Sequence, residues 1–243
     1  MPAAGRPTMS ERPDNAGRIA DASGLPVISD ADTGYGNAIN VLRTVRAVEK
    51  AGVAAIHLED QQLPKRCGHL AGKTLVSPGE AADKIRAACD ARVDDDFVII
   101  ARTDALAVEG LDRALERAQR YQEAGADMVF VEAPSTPQEL QAIPKALKVP
   151  ALFNMASSGK TPFLHTSEIE ALGFKLAIYP NFAILATIPA VRGVLRELRS
   201  AGTVAQMRER LVSFQEWFDV LGMDEIKAQE ARYGTPDDRR AGY

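Results

Sequence analysis

Two periods of apolar residues alternate along this chain. Val41, Leu42, Val45 and Val48 recur at helical spacing and stop at Ala51-Gly52, and Ala54-Ala55-Ile56-His57-Leu58-Glu59 follows as a short, mostly apolar run. Leu111, Leu115, Ala118 and Tyr121 stop in the same way at Ala124-Gly125, ahead of Met128-Val129-Phe130-Val131-Glu132. Ile169 and Leu172 stop at Gly173, ahead of Leu176-Ala177-Ile178-Tyr179. A helix ended by glycine and answered within a few residues by a buried strand is half of a βαβ unit. Three copies predict a parallel sheet wrapped by helices.

The remaining segments fit the same scheme. Leu25-Pro26-Val27-Ile28-Ser29-Asp30 reads as a buried strand behind a short helix from Ser10 to Ser23. Phe97-Val98-Ile99-Ile100-Ala101-Arg102 follows a helix whose start, Ser77-Pro78-Gly79-Glu80, carries an N-cap serine, a proline at the first helical position and a glutamate three residues on. Val149-Pro150-Ala151-Leu152-Phe153-Asn154 follows a helix opened by Thr136-Pro137-Gln138-Glu139. Past Tyr179-Pro180 the pattern predicts a helix to about Arg199, then a second helix from Thr203 carrying Met207, Leu211, Phe214, Trp217 and Leu221. So much apolar surface predicts packing on a partner such as another subunit. Residues 1–9 and 234–243 lack periodicity and read as flexible. The expectation is a single α/β domain over 1–243 with C-terminal helices at 203–232. Its six strands fall two short of a closed (β/α)8 barrel, which leaves an open α/β sheet or a barrel without its N-terminal quarter.

Composition removes several functions. With 29 basic and 33 acidic residues, well mixed, the 243-residue chain has no basic stripe for nucleic acid. No apolar run approaches membrane-spanning length, and residues 1–16 lack the apolar core of a secretion signal, so a soluble cytoplasmic protein is expected. Two cysteines in a chain of this size read as reduced thiols. Cys89 lies on an apolar helix stripe with Ile85, whereas Cys67 lies in a charged loop.

In parallel α/β folds the active site gathers at the carboxyl ends of the strands. Here those ends read Asp30 with Asp32, Glu59 with Asp60, Arg102 with Asp104, Glu132, Asn154 and Tyr179, nearly all polar. Asp30, Asp32 and Glu59 are hard oxygen ligands of the kind Mg²⁺ or Mn²⁺ takes while keeping several waters. Asp30 and Asp32 could equally cap the next turn. Arg102 could clamp a substrate carboxylate or pair with Asp104 or Glu132. Glu132 and Asn154 could hold a substrate oxygen or satisfy loop backbone. His57, inside a strand, reads as a hydrogen-bonded core histidine. The loop Lys65-Arg66-Cys67-Gly68-His69 flanks a lone thiol with cations and an imidazole, which favours a reactive cysteine. Such a loop can close over a substrate and present Cys67 as general acid or base; the plain alternative is a mobile basic surface loop.

At these residues the sequence resembles the isocitrate lyase and phosphoenolpyruvate mutase superfamily. Lys65-Arg66-Cys67-Gly68-His69 matches the lyase signature, and Asp30-Ala31-Asp32-Thr33-Gly34-Tyr35-Gly36-Asn37 and Ile56-His57-Leu58-Glu59-Asp60-Gln61 match the metal strands. The resemblance implies a (β/α)8 TIM-type barrel, here incomplete at about six strands, and a homotetramer with a helix exchanged between subunits. It also implies Mg²⁺ or Mn²⁺ held at Asp30, Asp32 and Glu59, partly through water. Cys67 becomes the proton donor or acceptor tuned by Lys65 and His69, and Cys67, Gly68, Arg102, Glu132 and Asn154 become contacts for a small carboxylate substrate. The family's first two strands have no counterpart before Asp30. Leu185 stands where methylisocitrate lyases place an arginine, which argues against a tricarboxylate, and Ser157-Ser158 replace a common Glu-Gly.

The expected function is a Mg²⁺-dependent carbon–carbon lyase cleaving a 2-hydroxy di- or tricarboxylate to a 2-oxo acid. The alternatives are a phosphonomutase or oxaloacetate decarboxylase of the same superfamily, and an inactive paralogue acting through subunit contacts.

Overall fold

The computed structural model describes residues 7–157 and 159–234. Residues 1–6 and 235–243, most of the segments expected to be flexible, and Ser158 lie outside them. The chain divides into two compact units, 1–182 and 183–243.

The first unit is built on one parallel sheet of six strands in sequential order. They are β1 (Ile28–Asp30), β2 (Ala55–Glu59), β3 (Val98–Thr103), β4 (Met128–Val131), β5 (Ala151–Asn154) and β6 (Leu176–Ile178). Helices α1 (Glu11–Ser23), α2 (Ala38–Lys50), α3 (Pro78–Ala91), α4 (Leu106–Glu109), α5 (Leu111–Glu123), α6 (Pro137–Lys145) and α7 (Thr166–Leu172) make the connections. Side chains alternate across each strand, so the sheet feeds apolar clusters on both of its faces. Ile56, Leu58, Ile99 and Ala101 face outward with Val41, Val45, Val48, Ile85 and Tyr121 of the helices. Ala55, Ile100, Phe130 and Leu152 form a smaller cluster on the inner face. The sheet is an open half-barrel, and no strand among the described residues pairs with the outer edges of β1 and β6.

Helix starts follow the residues that announce them. Ser77 Oγ accepts from Glu80 N–H (3.1 Å), with Pro78 at the first helical position of α3. Thr136 and Glu139 close a reciprocal capping box on α6. Asn37 does the same with Asn40 on α2, and this fixes the exit of the Asp30 to Asn37 loop. The one-turn α4 has no period of its own to read, and Gly110, at φ +86°, separates it from α5.

The second unit departs from expectation. A helix does run over α8 (Phe182–Ala201), but no single helix starts at Thr203. A 3-10 turn at Ala205–Arg210 is followed by extended backbone at Leu211 (ψ 139°), then α9 (Phe214–Val220) and α10 (Met223–Tyr233). Ser213 caps α9 by accepting from Glu216 N–H at 3.1 Å, and Gly222, left-handed at φ +70°, breaks α9 from α10. The Ser-x-x-Glu at 213–216 is a helix start, and the apolar period runs through it. Ile184, Ile188, Val191, Leu195 and Leu198 recur along α8 and are all exposed.

Candidate active site

The sheet brings its polar strand ends together. Pairing sets Asp30 beside His57 and Glu59 beside Arg102, and places Asn154 at the end of β5. Above them runs the loop from Asp60 to Val76, closed at its base by Gln62 N–H to Thr74 O (2.8 Å) and Val76 N–H to Asp60 O (2.9 Å). The buried Gln61 amide holds the Arg66 backbone from both sides, donating to its carbonyl and accepting from its N–H at 2.9 Å each. The loop is therefore seated on the rim.

Lys65 enters the acidic corner. Its Nζ lies 2.6 Å from Asp32 Oδ1, 3.4 Å from Glu59 Oε2 and 3.6 Å from Asp30 Oδ2. Arg12 of α1 approaches from the other side, 3.2 Å from Asp32 Oδ2 and 3.6 Å from Asp30 Oδ2. Asp30 also accepts from Asp32 N–H at 2.8 Å, so the turn-capping role holds alongside the cluster. Asp32 itself sits at φ +48°, a left-handed conformation that aspartate tolerates, in a loop with Gly34 at φ +85°. Burial opposes ionisation of Asp30, yet His57, Lys65 and Arg12 hold its carboxyl well below the ordinary range. At Glu59 burial wins over Arg102 and Lys65, pushing the carboxyl up to about 7.

A second cluster adjoins it. The guanidinium of Arg102 pairs with Asp104 (Nε to Oδ2 3.0 Å), Glu132 (Nη2 to Oε2 3.0 Å) and Glu59 (Nη1 to Oε2 3.6 Å). Burial works against its charge, but these three carboxylates raise its pKa well above the usual value. Asn154 Nδ2 donates to Glu132 Oε1 at 3.1 Å, and His69 Nε2 lies 3.4 Å from the same oxygen. Lys73 Nζ sits 3.2 Å from Asp104 Oδ1 and donates to the Gly68 carbonyl. Gly68 leaves no room for a β-carbon, which would run into Glu132 and the Arg102 guanidinium. Cys67 is a free, half-buried thiol held next to that contact. A cavity of about 330 Å³ borders the loop, lined by Gly68, His69, Lys73, Val108, Ala133 and Lys160.

Close packing at Gly68 has a direct consequence. Gly68→Ala should keep the fold, since the strain falls on a loop, but should lift the loop from the rim. The expected result is a loss of at least about tenfold in kcat with a midpoint of thermal unfolding within about 3 °C of wild type; unchanged kcat would show that the seated loop is not the working one.

Asp30, Asp32, Glu59, Lys65, Gly68, His69, Arg102, Glu132 and Asn154 lie in these two clusters and Cys67 beside them, whereas Asp60 bonds to Thr103 and Tyr121 on the other side of the sheet and Tyr179 packs edge-on against Phe182. Several partners were not singled out. His57, read as a core histidine, lies on the inner face 3.6 Å from Asp30 Oδ1, its ring edge-on to Phe130. Lys73 joins the Arg102 cluster, with a cation eight residues along the loop from Lys65 as its available signal, whereas Asp104 makes the ion pair with Arg102 that the sequence had offered beside a substrate clamp. Arg12 reaches the carboxylates from a polar helix that carries no motif.

The donor set suits a hard divalent cation. Glu59 Oε1 is buried and accepts no hydrogen bond, and three carboxylates already converge on one ammonium. Among the described residues no three His, Cys, Asp or Glu are grouped closely enough to hold a metal ion by themselves.

Acidic strand ends under a cationic loop lie here at the carboxyl end of a parallel α/β sheet, the face on which such folds carry their active sites. The chain belongs to the phosphoenolpyruvate phosphomutase family, whose pattern matches residues 2–199. It is 46% identical over 235 residues to the 2,3-dimethylmalate lyase of Eubacterium barkeri, covering 97% of this chain and 81% of that one. Identity to the 2-methylisocitrate lyase of Aeropyrum pernix is 44% over 231 residues, covering 95% and 74%. A crystal structure of a phosphonopyruvate hydrolase complex with oxalate and Mg²⁺ superposes with TM-score 0.85 at 38% identity, covering 96% of this chain and 81% of that one. By this kinship the chain is a carbon–carbon lyase. No helix among its described residues is long and apolar enough to cross a membrane.

Proposed function

We propose that the chain is a cytoplasmic, Mg²⁺- or Mn²⁺-dependent lyase that cleaves a branched 2-hydroxy dicarboxylate of the 2,3-dimethylmalate type into a 2-oxo acid and a second carboxylic acid. The observation that carries this is the loop Lys65 to His69 resting on carboxylates at the ends of three strands, Asp32 after β1, Glu59 on β2 and Glu132 after β4. Kinship with the dimethylmalate and methylisocitrate lyases supports the reaction type, and Leu185 favours the dicarboxylate.

Asp30, Asp32 and Glu59 would hold the cation, which supplies Lewis acidity toward a 2-hydroxyl and the neighbouring carboxylate. Lys65, 3.4 Å from Glu59 Oε2, would share that carboxylate with the cation. Arg102, held flat by Asp104 and Glu132, faces the negative charge that develops as the C2–C3 bond breaks. Asn154 and Glu132 orient a substrate oxygen. The 2-hydroxyl passes its proton to a rim carboxylate as C2 becomes the carbonyl and the C2–C3 pair moves onto C3, where Cys67 delivers a proton, and the seated loop keeps water away from that carbanion.

A panel of 2-hydroxy acids, assayed for 2-oxo acid release, tests the reading. Release from 2,3-dimethylmalate supports it. Turnover of phosphonopyruvate or oxaloacetate alone points to the phosphonate or decarboxylase chemistries, and no turnover of any compound points to a paralogue acting through subunit contacts.

The exposed apolar stripe on α8 supports a homo-oligomer, a tetramer with exchanged helices by family resemblance. A monomer mass by light scattering at micromolar concentration contradicts that assignment.

Arg12 competes with the cation for Asp30 and Asp32. Its ion pairs are partly exposed and therefore worth at most about 1 kcal/mol, so Arg12→Ala should tighten Mn²⁺ binding by up to about fivefold in electron paramagnetic resonance titrations. Weaker binding by the variant would place Arg12 outside the competition.

A further inference from the structure

Asp60 follows Glu59 at the end of β2 and, by the alternation of the strand, points to the opposite side of the sheet. There its buried carboxylate gathers four donors. Oδ1 accepts from Asp104 N–H at 2.9 Å; Oδ2 accepts from Thr103 Oγ1 at 2.7 Å, Tyr121 OH at 2.8 Å and Arg117 Nη1 at 3.4 Å. Arg117 is fixed in turn by two 2.8 Å hydrogen bonds to Glu109 and donates to Val76 O at 2.9 Å. One carboxylate thus joins the end of β2, the end of β3, helix α5 and the point where the catalytic loop returns to the fold.

Of these partners Asp104 alone also belongs to the rim, through its side chain. Asp60 fixes the backbone of Asp104, and the Asp104 side chain holds both Arg102 and Lys73. Lys73 pins the Gly68 carbonyl beside Cys67. A buried carboxylate is a costly way to join two strands that already share a parallel ladder. Its distinguishing effect is angular: it sets where the Asp104 carboxylate points.

Resting on the lyase reading above, we propose that Asp60 is a positioning residue: it holds Asp104 so that Arg102 and the Lys73-anchored loop are presented to the substrate together. Asp60→Asn keeps the volume but turns an N–H₂ toward at least one donor, leaving Asp104 free to rotate.

Two readouts test this. In steady-state assays with the 2-hydroxy acid that wild type accepts, Asp60→Asn should lower kcat by about 10- to 100-fold with KM within about threefold, the signature of misplaced reacting groups. In parallel, alkylation of Cys67 by iodoacetamide, separated from Cys89 by peptide mass and measured well below the unfolding midpoint, should accelerate by at least about threefold as the loop loosens. Lys73→Met should give the same acceleration, and the double variant no more than either single one. If Asp60→Asn does not fold, Tyr121→Phe, which removes one donor of four, should show a smaller acceleration in the same direction. Glu109→Gln loosens Arg117 without touching Asp104, and should lower stability while leaving Cys67 alkylation unchanged. An additive double variant, unchanged alkylation in Asp60→Asn or Tyr121→Phe, or equal acceleration in Glu109→Gln overturns the proposal. Should wild type turn over no 2-hydroxy acid, the lyase reading fails while the alkylation series still decides the role of Asp60.

Discussion

Cys67→Ser is expected to abolish turnover while sparing binding. Serine keeps the shape of the loop, but its hydroxyl is a far poorer proton donor than a thiol among cations, and general acid catalysis is worth about 10²- to 10⁴-fold. A kcat loss of that size, with Mg²⁺-dependent oxalate affinity within about threefold of wild type, is the result that fits a proton-delivering group outside the metal and anion contacts. Turnover within about tenfold of wild type would move the proton to another residue; His69, 3.4 Å from Glu132, would be the next to test.

Arg102→Met should cost both stability and activity. The side chain is shared by Asp104, Glu132 and Glu59, all buried, and its removal leaves three carboxylates facing one another with only Lys73 beside Asp104 and Lys65 beside Glu59 to balance them. Breaking a buried pair from one side costs about 3–5 kcal/mol. In a domain of this size that corresponds to a fall of about 6–20 °C in the unfolding midpoint. Neutralising one facing acid should return part of the stability, so Arg102→Met with Glu132→Gln should melt above Arg102→Met alone. Activity should remain lost in both, because the charge on the departing carbanion has no partner. A midpoint within about 2 °C of wild type would mean that the carboxylates find other partners, Lys73 first among them.

Much of this architecture was legible from spacing. Glycine-stopped helices followed by short apolar runs located β2, β4 and β6, and apolar runs behind a short helix or a capped helix start located β1, β3 and β5, since a buried parallel strand is mostly apolar except where it meets the rim. Ser77 and Thr136 marked helix starts because the side chains that satisfy free N–H groups are few. Asp30, Asp32, Glu59, Arg102, Glu132 and Asn154 were visible as polar interruptions at a repeated strand position. Partners supplied by packing were not visible. Arg12 lies twenty residues before Asp32 and meets it only because α1 settles at that edge. Lys73 and Asp104 meet through the path of a loop that has no period. The break at Leu211 was hidden by an apolar pattern that continues across Ser213, where capping overrides periodicity.

The central claim is spatial: metal carboxylates, anion contacts and the Cys67 loop form one site. Protection of Cys67 from iodoacetamide by oxalate tests it most directly. With Mg²⁺ and oxalate together, alkylation of Cys67 should slow at least about tenfold while Cys89 is unaffected, and neither component alone should protect. Oxalate that binds with Mg²⁺ yet leaves the Cys67 rate unchanged would separate the thiol from the carboxylates and contradict the account.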